Sequence, residues 1–169
     1  MPPPISSRGN LPEPTLTQGT VISGRYCLME ELGRGGFGTV WKALDTITDN
    51  RAVAIKFYTG IYQSDTPVLD EIRREAGVAL DLTHERIVRL YIFDVEIFEG
   101  RPLAHLVFEL LRGPTLRHIL KARGSLTLPE TLVITEQICE GLDYLHGKHV
   151  IHCDLKPQNI ILCEPLGDL

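Results

Sequence analysis

The sequence predicts an α+β fold in which a small, mainly antiparallel β lobe is followed by a helical one. Three observations carry this. From Tyr26 the chain runs through short strand-like stretches, "YCLMEEL", "GTVWKAL" and "AVAIKFY", separated by glycine-rich or Asp/Asn-rich breaks, the pattern of an antiparallel meander. One helical pattern then precedes two more strand-like runs, "IVRLYIFDV" and "LAHLVFEL", which complete a five-stranded sheet. Beyond residue 114 the apolar residues recur at helical spacing instead.

Taken in order, five of the 11 prolines fall within the first 14 residues, where apolar content is low and no periodicity shows. Residues 1–22 are therefore expected to form a flexible proline-rich tail, and residues 23–169 the folded domain. After the third strand a helix is expected: Thr66 can cap it, Pro67 suits its first turn, and Asp70 and Glu71 favour the positive end of its dipole. Its apolar stripe is Ile72, Ala76, Ala79 and Leu80, and Gly77 in its interior costs about 1 kcal/mol. The β lobe ends near residue 109, a hinge is expected over Glu109 to Gly113, and the helical part starts at 114. Residues 115–123 suit a short helix. The next is stronger, because Thr127 and Glu130 make a capping-box pattern, Ile134, Ile138, Leu142 and Leu145 share a face, and Gly147 offers a stop.

Composition narrows the function. The 169 residues are 43% hydrophobic and 23% charged, as in an ordinary globular protein. Seventeen basic residues are scattered among 22 acidic ones, so no face for a nucleic-acid backbone is expected. Apolar runs stop well short of the ~20 residues that span a bilayer, and the N-terminus lacks a basic start followed by an apolar core. A soluble, unexported, cytoplasmic protein with no membrane partner is the expectation. Cys27, Cys139, Cys153 and Cys163 form no C-x-x-C pair, which argues for reduced thiols. His146, His149 and His152 straddle a helix end and a strand-like "HVI", so they share no face for a metal.

Three segments carry chemistry. In "GRGGFGTV", Gly33, Gly35 and Gly38 follow G-x-G-x-x-G with Val40 two further on. By itself this is equally a tight turn. A dinucleotide fingerprint would open a helix and a Walker loop would need Gly-Lys-Ser/Thr, whereas "TVWKALD" continues as a strand. What remains is a glycine-rich hairpin whose backbone can lie over phosphates. Next, Lys56 ends the apolar strand "AVAI", and Glu75 sits beside the buried stripe of the helix, where an inward carboxylate needs a cation. Last, in "HCDLKPQN", Asp154 can accept a hydroxyl proton, Lys156 can neutralise a transferred phosphoryl group, and Asn159 can offer an amide oxygen to Mg2+. The same residue types also make ordinary turns.

Together and in this order, "GRGGFGTV", "VAIK", the helix Glu75 and "HCDLKPQN" resemble protein kinases of the eukaryotic type over residues 25–169. The resemblance implies a kinase-like fold, ATP and Mg2+ as cofactors, and protein substrates. It places Gly33, Arg34, Gly35, Gly36, Phe37, Gly38 and Val40 over the ATP phosphates. Lys56, paired with Glu75, falls on the α- and β-phosphates, Asp154 becomes the catalytic base, Lys156 touches the γ-phosphate and Asn159 holds magnesium. Leu32, Val40 and Ala54 would pack on adenine, with Phe108 as gatekeeper and the backbone of Glu109 and Leu111 bonding the base. Lys156 followed by Pro157 resembles the Ser/Thr-directed branch.

Two features depart from the family pattern. Cys153 stands where most members carry arginine, and a thiol cannot pair with a phosphorylated activation loop. The sequence also contains no D-F-G; Asp168 in "GDL" lacks the motif, so the principal magnesium aspartate is missing. The sequence thus predicts nucleotide binding with little or no transfer by these 169 residues alone. Apolar positions on "LVITEQICEGLDYL" would be exposed as an aggregation or partner-binding surface. A non-catalytic kinase-like module that binds nucleotide or a partner protein is the alternative reading.

Overall fold

In the computed structural model, residues 14–36, 38–58 and 66–164 are described, without the Thr66 side chain. The chain divides into two units: one runs to Asp81 and includes Leu90–Leu110, the other comprises Leu82–Arg89 and the chain from Leu111. The elements are β1 (Val21–Ile22), β2 (Tyr26–Gly35), β3 (Gly38–Asp45), β4 (Arg51–Phe57), α1 (Thr66–Leu80), β5 (Leu90–Phe98), β6 (Arg101–Glu109), α2 (Leu116–Arg123), α3 (Leu128–Gly147) and a 3-10 turn at Pro157–Asn159.

The first unit is one antiparallel sheet in the order β1-β2-β3-β4-β6-β5. Alternation along the strands sorts its two faces. Thr39, Trp41 and Ala43 of β3, Val53, Ile55 and Phe57 of β4, and Leu103, His105 and Val107 of β6 are buried on one face, where most of them form the main core with Ile22, Tyr26 and Leu28. Helix α1 covers the other face: Ile72 packs on Ala104, and Ala76 packs with Leu90 and Leu106. Leu80, expected in the buried stripe, is 40% exposed. At 100° per residue it lies roughly 80° round the helix from Ile72, too far to reach the sheet.

The expected tail boundary at residue 22 is corrected by the structure. Ile22 is completely buried and Leu16 packs against the main core. The Gly19 N–H donates to Leu28 O at 2.8 Å and the Leu28 N–H to Thr20 O at 2.9 Å. Residues 14–22 thus belong to the fold, while residues 1–13 lie outside the described residues. A two-residue strand is too short to show as a periodic pattern in a proline-rich segment.

In the second unit α2 is capped by Thr115, whose hydroxyl accepts from the His118 N–H. The capping box at α3 forms as expected: the Thr127 hydroxyl accepts from the Glu130 N–H, and the Glu130 carboxylate accepts from the Thr127 N–H at 2.8 Å. Ile134 and Leu116 are buried with Leu162, with Ile138 packed beside them. Gly147 is the last residue of α3, and the left-handed turn after it falls on His149, at φ 59°. The expected strand at "HVI" does not form. Segment Leu82–Arg89 is fastened to α3: the Thr83 N–H donates to the Tyr144 hydroxyl at 2.9 Å, His84 stacks on Tyr144 at 4.7 Å, and Arg86 pairs with Glu140 at 3.0 Å. Among the described residues no helix is long and apolar enough to cross a membrane.

Candidate active site

The glycine-rich segment is the tip of the β2–β3 hairpin, closed by the Gly35 and Gly38 pairing. Gly38 has φ 131°, and a Cβ there would overlap the carbonyl of Phe57. Only glycine lets the hairpin lie this close to the end of β4. Gly33, Gly35 and Gly36 are the reverse case, with open space where a Cβ would stand. A backbone bare of side chains is what close approach to a phosphate requires. Phe37, expected in this group, lies outside the described residues. Arg34 folds back onto Glu31 through two bonds of 3.0 and 2.8 Å. Leu32 is exposed at the bulge between Glu31 and Gly33.

Strand register places the expected base-binding residues on the α1 face of the sheet. Val40 pairs with Lys56, which pairs with Leu106; in the next row Lys42 pairs with Ala54, which pairs with Phe108. Opposed residues in an antiparallel pair share a face, so Val40, Ala54, Lys56 and Phe108 stand together within two rows. Phe108 is half-buried against Ala76, Leu90 and Leu106. Glu109 closes β6 opposite Val53. Leu111 is half-buried at the start of the second unit.

Glu75 departs from the expectation. It is exposed rather than turned inward, and among the described residues no ion pair joins it to Lys56. At 100° per residue it stands roughly 60° from Ile72, on the margin of the buried stripe, where water still reaches a carboxylate. Tyr58, which belongs to none of the motifs, lies beside Lys56 and feels the charge of Glu75. Lys56 Nζ lies 4.9 Å from the centre of its ring. Its phenol is pushed up from the ordinary tyrosine range first by burial and then by the Glu75 charge. The available signal was its position two residues after Lys56, which on an extended strand puts both side chains on one face.

The second cluster follows α3. The backbone reverses at Cys153, a non-glycine residue at φ 57°, and the Asp154 N–H turns back onto His152 O at 2.7 Å. Lys156 Nζ donates to the Asp154 carboxylate at 2.7 Å. Asn159 Nδ2 donates to the same carboxylate and to the Asp154 carbonyl, both at 2.9 Å. The 3-10 turn Pro157–Asn159 returns Asn159 to Asp154 across five residues, with Pro157 setting its first φ. Lys156, and then Asn159, hold the Asp154 carboxyl below the ordinary carboxylate range. The carboxylate is therefore ionised, fixed by two donors, and still open, with 62% of its side chain exposed. Asn159 spends its amide nitrogen on Asp154, which leaves its carbonyl oxygen as the acceptor end for a cation. Among the described residues no group of three or more His, Cys, Asp or Glu side chains can hold a metal by itself.

A strand-built glycine hairpin and a lysine on the adjoining strand in the first unit, and an Asp-Lys-Asn loop after a helix in the second, are each features of the protein kinase class. The comparison with known families agrees: the family described as "Protein kinase domain" matches residues 26–166, and this chain belongs to it. It is 37% identical over 151 residues to the serine/threonine-protein kinase PrkC of Bacillus subtilis, which covers 89% of this chain and 22% of the relative. To the serine/threonine-protein kinase PkaA of Streptomyces coelicolor it is 37% identical over 158 residues, covering 88% of this chain and 28% of the relative. Among solved structures, that of Rad53 1-466 in complex with AMP-PNP matches with a TM-score of 0.69 at 30% identity, over 83% of this chain and 35% of that one. The chain thus spans 22% and 28% of the length of these two curated relatives.

Proposed function

We propose that the chain supplies the nucleotide-binding and hydroxyl-activating residues of an ATP-dependent protein serine/threonine kinase. The observation that carries this is the Asp154 carboxylate, ionised, exposed and fixed by Lys156 and Asn159 at 2.7 and 2.9 Å. A base for a hydroxyl must be unprotonated and correctly aimed before substrate arrives, and two donors provide both.

In this reading Val40 and Ala54 form the apolar bed for the adenine ring, with Leu32 beside them. Lys56, one row from Ala54 on the same face, points a positive charge at the α- and β-phosphates. The open backbone of Gly33, Gly35 and Gly36 covers the phosphates without a Cβ in the way. Asp154 orients the hydroxyl of a protein serine or threonine and accepts its proton. Lys156 stabilises the charge on the phosphoryl group in flight. Mg2+ when bound neutralises charge on the phosphates. The carbonyl oxygen of Asn159 suits such a hard cation, which characteristically takes few protein ligands and completes its shell with phosphate oxygens and water.

The test is thermal denaturation with and without Mg-ATP, together with transfer of labelled phosphate to a serine-containing protein. Stabilisation by Mg-ATP is expected in the parent chain and its loss in Lys56→Met; any transfer is expected to vanish in Asp154→Ala. A parent chain whose melting is indifferent to Mg-ATP would remove the proposal.

A further inference from the structure

Charge is unevenly distributed along the second unit. From Leu110 to Pro129 the sequence contains Arg112, Arg117, Lys121 and Arg123 and not one Asp or Glu, while the other 13 basic residues share the chain with all 22 acidic ones. Arg123 is spent on Glu130, through bonds of 2.8 and 3.1 Å. Arg112, Arg117 and Lys121 are exposed, and among the described residues no carboxylate pairs with them. Arg117 and Lys121 are one turn apart on α2, about 6 Å at Cβ, with exposed His118 beside them. The opposite side of α2, through Leu116, Ile119 and Leu120, is packed into the unit.

This basic face is tied to the Asp154 loop by backbone. One residue after Asn159, the Ile160 carbonyl accepts from the Leu116 N–H at 2.8 Å, and the Leu162 N–H donates to Pro114 O at 3.0 Å. Thr115 bridges Ile161. Gly113, at φ 145°, lets the strand-like segments meet where any Cβ would overlap the Leu162 carbonyl. The first turn of α2 and the residues next to Asn159 are thus joined directly through their backbones.

We infer that the exposed face of α2, with Arg112 before it, is a docking surface for a carboxylate-rich segment of the protein substrate. This rests on the kinase reading and names a feature of its substrate. Three cations strung along a loop and one helix turn match successive acidic side chains of an extended polypeptide. A single phosphate would need them converged on one point. The stretch from Leu110 to Pro129 has no Phe, Tyr or Trp, so it offers no platform on which nucleic-acid bases could stack.

The test is fluorescence anisotropy on the 169-residue chain with a labelled 12-residue peptide of alternating Glu and Ser, repeated with Gln for Glu and with a single-stranded oligothymidine. The Glu peptide is expected to bind, the Gln peptide to bind at least tenfold more weakly, and added salt to weaken the Glu complex. Arg117→Glu with Lys121→Glu should cost at least tenfold. Arg73→Glu with Arg74→Glu, an equal charge change on α1, should cost less than twofold. Arg117→Gln with Lys121→Gln should fall between and serves if the reversal does not fold, as read by circular dichroism. No binding of the Glu peptide, equal loss in both reversals, or tighter binding of oligothymidine would overturn the inference. Nucleotide-dependent stabilisation measured on the same samples separates this failure from failure of the kinase reading.

Discussion

The carbonyl oxygen of Phe57 lies where the Cβ of any residue other than glycine would stand at position 38. Gly38 also holds φ 131°, a region closed to side chains for steric reasons. Gly38→Ala must therefore push the hairpin away from β4, at a cost on the order of 1–3 kcal/mol. Gly36→Ala meets nothing within 4 Å and should leave stability almost unchanged. Thermal melts of the two variants give the comparison, and equal melting temperatures would show that the close approach is not there.

Arg25 grips Asp45 by two parallel bonds of 2.8 and 2.6 Å, and the Asp45 side chain is 6% exposed. Arg25 above all, helped by Thr48 and the Ile47 N–H and opposed by burial, holds the carboxyl at about 2, below its ordinary 3.8. A folded-state value depressed in this way adds stability that is complete above the unfolded value and disappears as pH falls through the folded one. The pair should contribute about 2 kcal/mol at neutral pH and lose it between pH of about 4 and 2. Asp45→Asn should melt lower at pH 7 and match the parent near pH 2, as read by denaturant curves at each pH.

The Asp154 carboxyl is held low first by Lys156 and second by Asn159. Lys156→Met should raise its titration midpoint toward the ordinary aspartate value, and Asn159→Ala should raise it by less. Carbon-detected NMR titration of the Asp154 carboxyl reads both. A midpoint unmoved by Lys156→Met would mean that the 2.7 Å bond does not persist in solution.

The elements that sequence chemistry revealed are those fixed by local contacts. Thr127 and Glu130 stand three residues apart and satisfy each other's backbone, so the capping box could be read without a fold. The Asp154, Lys156 and Asn159 spacing likewise lies within one turn. What could not be read depends on distant strands. Ile22 is buried because β2 runs beside it. Gly38 needs its missing side chain because Phe57 comes from another strand. The exposure of Glu75 turns on a rotation of roughly 60° about the helix, finer than an apolar stripe can specify. Tyr58 gained its place beside Lys56 and Glu75 through the packing of α1 on the sheet.

The segment before Tyr26 has a practical consequence. Ser23 donates through its N–H to the Glu96 carboxylate at 3.0 Å and through its hydroxyl to Asp94 at 3.2 Å; the Thr15 N–H reaches Glu99 at 3.3 Å. These residues come from opposite ends of the strand order, so the segment laces the two borders of the sheet together. The family match begins only at Tyr26. A recombinant protein started there would lose the lacing and the Ile22 plug, and would leave the border of β2 bare for pairing with neighbouring molecules. Expression boundaries for this domain belong before residue 14, where its first described contacts begin.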